Sequence, residues 1–133
     1  MASSKSKWLA YTVIVGLIPL LTRLLAWTVT APGMVGPLMA SDFITLGLVL
    51  HISIVNEVEH ATLRAADLKT ISNGTSLLFI TSYGALYAIA IIGERNPRFV
   101  DTSLMLSISV GLAATSFLLG LKVYQRLSHR NSK

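Results

Sequence analysis

The stretch Leu50 to His60, LHISIVNEVEH, sets two histidines, an asparagine and two glutamates into an apolar run. Within it, Glu57-Val-Glu-His60 has the Glu-x-x-His spacing of carboxylate-bridged di-iron bundles, where positions i and i+3 face one metal. Such a centre needs two copies of the motif and further carboxylates, and this chain has one copy. The spacing therefore reads as a solvated helix face with i, i+4 pairs such as His60 with Arg64. No metal and no other cofactor is expected. Haem ligation by two histidines would need a second histidine at the depth of His51, and both His60 and His129 fall too far toward the inner side. No nucleophile has an adjacent base, and no two carboxylates pair at membrane depth, so no enzymatic activity is expected.

The elements that carry these residues follow from composition. The chain has 133 residues, 53% of them hydrophobic and 13% charged, with a mean hydropathy of +0.65. That is too little polar surface to coat a soluble globule, and a bilayer is the natural solvent. With no cysteine, disulfide frameworks, thiol redox chemistry and thiolate metal sites are excluded. Four apolar segments, at about 8–30, 38–55, 77–93 and 104–121, each have roughly the length a helix needs to cross ~30 Å of hydrocarbon. Strands would need period-two alternation and a closed barrel, and the alternation is absent. The reading is an all-α membrane protein over 1–133, one domain of four transmembrane helices in an antiparallel bundle. The first segment follows Lys5 and Lys7 as a signal peptide would. It is longer than a signal's apolar region and carries Arg23, so it is read as a retained span.

Orientation follows from lysine and arginine. One side holds Lys5, Lys7, Arg64, Lys69, Lys122, Arg126, Arg130 and Lys133, and the other only Arg95 and Arg98. Both termini are expected in the cytoplasm, with the protein in the cell (inner) membrane. The basic tail at Lys122, Arg126, Arg130 and Lys133 is placed to meet anionic headgroups of the lipid bilayer. No basic stripe alternates with aromatics, so no direct nucleic-acid contact is expected.

Asn56 to Lys69 (NEVEHATLRAADLK) contains no proline. The second helix is therefore expected to run unbroken from about Ser41 to Ser72, project into the cytoplasm, and stop at Asn73-Gly74. At 100° per residue, Asp42, Ser53, Asn56, His60, Arg64 and Asp67 fall on one line, which passes through apolar Leu46 and Val49. Together with Glu57 and Glu59 they form a polar stripe or partner face. His51 lies nearly opposite the stripe, and a histidine at that depth is expected to be satisfied by a neighbouring helix.

Arg23 stands about seven residues inside the first span and Asp42 about four inside the second, ~10 and ~6 Å deep. The turn APGMVGPLMA joins the two helices, so an intramembrane ion pair Arg23–Asp42 is expected. In the fourth span Ser103, Ser107, Gly111 and Thr115 recur every four residues, and the third offers Gly84 and Ala88. Small residues at this spacing let helices approach closely. One such face is expected to serve packing within the chain and the other a homo-oligomer. Phe79, Tyr83 and Tyr87 line a further face of the third span. Asn73-Gly74-Thr75, a glycosylation acceptor by sequence, falls on the expected inner side and reads as a turn.

The size is similar to that of small fluoride channels and small multidrug transporters. However, SNGTSLLFITSYGAL lacks the third-span pattern of the former, and the first-span glutamate of the latter is replaced by an apolar helix with Arg23. In span number and inner-facing polar segments the chain resembles small bacterial membrane subunits that work with a cytosolic protein, such as the membrane component of Kiwa-type phage-defence systems. The expected role is a non-enzymatic membrane subunit that oligomerises and presents the extended helix and basic tail to a cytosolic partner as scaffold, sensor or anchor. The alternative is a small ion or proton channel or transporter with a polar path along the second span.

Overall fold

A computed structural model describes residues 7, 9–60 and 66–131, with side chains over 7, 10–59 and 69–125. All regular structure among them is helical. A π-helical turn, Leu9–Val13, leads into α1 (Ile14–Val29); α2 is Ala40–His60, α3 Ala66–Arg95 and α4 Thr102–Asn131. Four segments are long and apolar enough to cross a membrane: Ala10–Val29, Ala40–Glu59, Lys69–Arg95 and Thr102–Gln125. They match the four expected spans, with the third beginning earlier than expected.

Local chemistry sets the helix ends. Beyond α1, Thr30 N–H donates to Ala26 O, and Pro32 and Gly33 follow, Gly33 with the positive φ of 84° that a glycine adopts without a Cβ clash. Asp101 Oδ1 accepts from Leu104 N–H at 3.1 Å, an N-cap that satisfies a free amide at the start of α4. Asn96 N–H closes the end of α3 onto Ile92 O, and Pro97 bars continuation.

The single rod expected from Ser41 to Ser72 does not form. α2 ends at His60 and α3 starts at Ala66. Glu59 Oε1 accepts from Asn73 Nδ2 at 2.6 Å, and Lys69 Nζ lies 3.3 Å from Glu59 Oε2. Fourteen residues of continuous helix would hold positions 59 and 73 ~21 Å apart. Asn73-Gly74, expected as the stop, lies inside α3, because tertiary contacts override two weak helix formers. The described ends of the polar segment that looked like an extension of α2, 56–60 and 66–69, instead belong to two helices that meet side by side.

α2 is the axis of the molecule. It packs against α1, α3 and α4, whereas α1 reaches no other long helix among the described residues. Burial agrees: 39% of the α2 span is buried, against 11% of the α1 span. Two faces of α2, roughly 130° apart at 100° per residue, explain this. One carries Asp42, Leu46 and Ser53 against α1: Thr12 Oγ1 and Ser53 Oγ share a hydrogen bond at 2.9 Å, Leu46 fills the notch at Gly16, and Arg23 meets Asp42. The other carries Ile44, Gly47, Leu50, His51, Ile54 and Val58, all buried. Leu50, Ile54 and Val58 join Tyr124 in an apolar cluster backed by Phe117 and Leu121.

Among the described residues, neither small-residue ladder packs within the chain. Ser103, Ser107, Gly111 and Thr115 are exposed, as are Gly84 and Ala88, and a Cβ at Gly84 or Gly111 would meet nothing within 4 Å. The seam that α4 turns inward is Met105, Ser109, Ala113, Ser116, Gly120 and Tyr124. It also holds small residues, but at mixed spacings of three and four, the period of a helix following its neighbour. Outside these seams, Ile14, Ile18, Leu21, Leu25, Leu77, Leu78 and Leu118 are exposed, an apolar coat that matches lipid rather than water.

Candidate functional site

The polar core forms where α2, α3 and α4 converge. His51 is 1% exposed and Ser116 and Tyr83 are fully buried, so the polar atoms there are shut off from the surroundings and need partners inside the protein. His51 Nδ1 shares a hydrogen bond with Ser76 Oγ at 3.1 Å, and Nε2 shares one with Ser116 Oγ at 2.8 Å. Ser116 Oγ and Tyr83 Oη are 2.6 Å apart. The Phe79 ring stacks on the imidazole, centroids 4.7 Å apart and planes 22° from parallel. Gly47 makes room: a Cβ there would fall 2.6 Å from Tyr83 Cε1, closer than real atoms approach.

These four groups form one chain, Ser76–His51–Ser116–Tyr83, and it has two internally consistent polarities. A neutral imidazole has one donor and one acceptor nitrogen, and each hydroxyl donates once. In one polarity Tyr83 O–H donates to Ser116, Ser116 donates to Nε2, and Nδ1–H donates to Ser76. In the other, Ser76 donates to Nδ1, Nε2–H donates to Ser116, and Ser116 donates to Tyr83. A proton taken up at either end and released at the other converts one into the other. The side chains bonded to or stacked on His51 in this chain of groups, Ser76, Ser116, Tyr83 and Phe79, carry no formal charge.

Stability should register the same network. Ser116→Ala strands both Nε2 and the Tyr83 hydroxyl in an apolar core, so a loss of about 1–3 kcal/mol is expected. Thermal unfolding in detergent measures it; a change below ~0.5 kcal/mol, typical of a neutral surface site, would contradict this geometry.

The structure brings Arg23 and Asp42 together as an ion pair, Arg23 Nε donating to Asp42 Oδ2, with side chains 23% and 10% exposed. Ser53 faces Thr12, so with Asp42 it lies in the α1–α2 seam. Asn56 and Glu59 are exposed at the far end of α2, and Glu57 is half-buried. The side chains of His60, Arg64, Asp67, Arg126, Arg130 and Lys133 lie outside the described residues, and with His60 the Glu57-x-x-His60 spacing; Lys122 is exposed. Sequence reasoning placed His51 against a neighbouring helix but missed Ser76 and Ser116 and counted Tyr83 only as an aromatic. Their signal was weak: serines in apolar spans, at depths fixed only once the helix pairing is known.

Comparison with protein-family models, with curated proteins and with solved structures finds no match.

Proposed function

We propose that this chain is a small multi-pass membrane protein that passes protons across the bilayer through His51. The observation that carries the reading is the buried chain Ser76–His51–Ser116–Tyr83, near the middle of the Ala40–Glu59 span. Ionisable side chains are costly inside a bilayer and mark proton relays when they sit in hydrogen-bonded chains. Imidazole suits the task, since it accepts at one nitrogen and releases from the other. On this reading the four helices run alternately through the cell membrane with both termini in the cytoplasm, as the distribution of lysine and arginine favours. The reaction makes and breaks only O–H and N–H bonds: one proton enters, one leaves, and the chain is left in the opposite polarity.

The test is the purified full chain in vesicles with a trapped pH-sensitive dye and an imposed potential. Wild type is expected to dissipate the gradient, and His51→Phe, which keeps an aromatic ring beside Phe79, is expected to fall to the rate of empty vesicles. Equal rates for wild type and His51→Phe, or no flux from wild type, defeat the reading.

A second reading is favoured by a different observation. At the α2–α3 end, Glu59, Lys69 and Asn73 interlock at the surface, Glu59 with half its side chain exposed. This knuckle replaces the projecting rod as the place where a cytosolic partner protein would dock, with the outward ladders at Gly84 and Gly111 joining copies of the chain. Co-purification from native membrane followed by mass measurement decides it. A partner lost on Glu59→Lys supports this reading, and a bare single chain refutes it.

A further inference from the structure

Among the described residues, three buried side-chain polar atoms have no hydrogen-bond partner: Ser72 Oγ, Asn73 Oδ1 and Ser109 Oγ. Their positions are not scattered. Ser72 precedes Ser76 by one turn of α3, ~6 Å along the axis toward Glu59, and Asn73 beside it already donates to Glu59 Oε1. Ser109 precedes Ser116 by two turns of α4, ~10 Å toward the opposite end, and is fully buried. One turn beyond Ser109, Met105 lines a cavity of about 360 Å³ bounded by Ser41, Gly93, Glu94, Thr102 and Ser103. Orphaned hydroxyls thus lie on both sides of the His51 chain, one pointing the way to a surface carboxylate and the other to a cavity.

An unsatisfied buried hydroxyl costs about 1–3 kcal/mol, and serines in helices ordinarily avoid that cost by donating to the carbonyl four residues back. Thr45, Thr81, Ser82, Ser107 and Thr115 of this chain do so. Ser72 and Ser109 do not. The two polarities of the His51 chain need an outlet of this kind. When Nδ1–H donates to Ser76, the Ser76 proton must go to an acceptor nearer Glu59. When Ser116 donates to Tyr83, the Tyr83 proton must go to an acceptor nearer the cavity.

We infer that Ser72 with Asn73, and Ser109, are binding sites for internal water that connects the His51 chain to Glu59 at one end and to the cavity beneath Glu94 at the other. This rests on the proton-passing reading and specifies its route. A water held at Ser72 accepts a proton from Ser76, is oriented by a hydrogen bond to Asn73 Oδ1 and passes its other proton through water to Glu59; at the other end a file of more than one water leads from Tyr83 past Ser109 to the cavity. Each water accepts one proton and gives up another, so the transfer balances with no further reagent.

Two measurements on the full chain test this. In proton-loaded vesicles, Ser72→Ala and Ser109→Ala are each expected to slow flux about tenfold, the equivalent of ~1.4 kcal/mol on the barrier, with Thr81→Ala, an exposed hydroxyl bonded to Leu77 O of its own helix, as the control near wild type. If both variants conduct as wild type does while His51→Phe does not, the route is wrong and the proton-passing reading survives. If wild type conducts no faster than empty vesicles, both fall. Independently of flux, solid-state NMR of wild type in lipid reads magnetisation passed from water to side chains. Ser72 and Ser109 are expected to receive it well before Ala113, which is also buried but apolar. Transfer to the two serines no faster than to Ala113 overturns the inference, whatever the flux.

Discussion

Asp42→Asn is expected to destabilise the chain by about 3 kcal/mol, because it leaves Arg23 charged, largely buried and unpaired. Full burial would place the loss nearer ~5 kcal/mol, but Arg23 retains 23% side-chain exposure, and a long arginine side chain near the end of a span can extend its head toward the interface. The consequence is local. α1 is attached to the rest of the protein through α2, along Arg23–Asp42, Gly16–Leu46 and Thr12–Ser53. With the ion pair broken, α1 is expected to separate first, seen as faster proteolysis or hydrogen exchange in 14–29 than in α3. Arg23→Leu with Asp42→Leu removes both charges together and is expected to recover most of the loss. A double variant as unstable as Asp42→Asn would mean the two residues do not act as a pair.

Gly47→Ala is expected to cost more than any other glycine-to-alanine change among the described residues, about 1–3 kcal/mol as overpacking of a tight core. The added methyl falls 2.6 Å from Tyr83 Cε1 and closer still to Cζ and Oη, and Tyr83 has no exposed side to retreat to. Moving the ring gives up its bond to Ser116, which also holds His51. Gly111→Ala provides the contrast: its Cβ meets nothing, and a helical alanine gains up to ~1 kcal/mol over glycine. Tyr83→Leu ends short of the clash, so Gly47→Ala in that background should be nearly neutral. The readout is the denaturation midpoint in detergent, and equal losses from Gly47→Ala and Gly111→Ala would contradict this packing.

Composition and hydropathy by themselves determined four membrane-length helices, because the cost of exposing backbone to lipid leaves helices as the only form for such segments. Charge and depth gave Arg23 and Asp42 as residues needing each other: a ten-residue connection between helix ends leaves few alternatives for an expensive cation. The polar line through Asp42 and Ser53 was legible as a line, but whether it faced a pore, a partner or a helix was not. Periodicity states that residues share a face without naming what covers it.

Tertiary structure decided the rest. Asn56 to Lys69 has uniformly acceptable helix propensity, and nothing local distinguishes one long rod from two helices that fold back; the contacts of Glu59 with Lys69 and Asn73 do. The reversal sets the register: His51 stands nine residues before the end of α2 and Ser76 ten after the start of α3, and the two meet. Two small-residue series run along α4, and only the mixed spacing of Ser109, Ala113, Ser116 and Gly120 follows α2 inward. Sequence fixes which side chains are costly to bury, since that is a property of each residue and its solvent. Which of them satisfy one another is a property of helix register, and register is a long-range quantity.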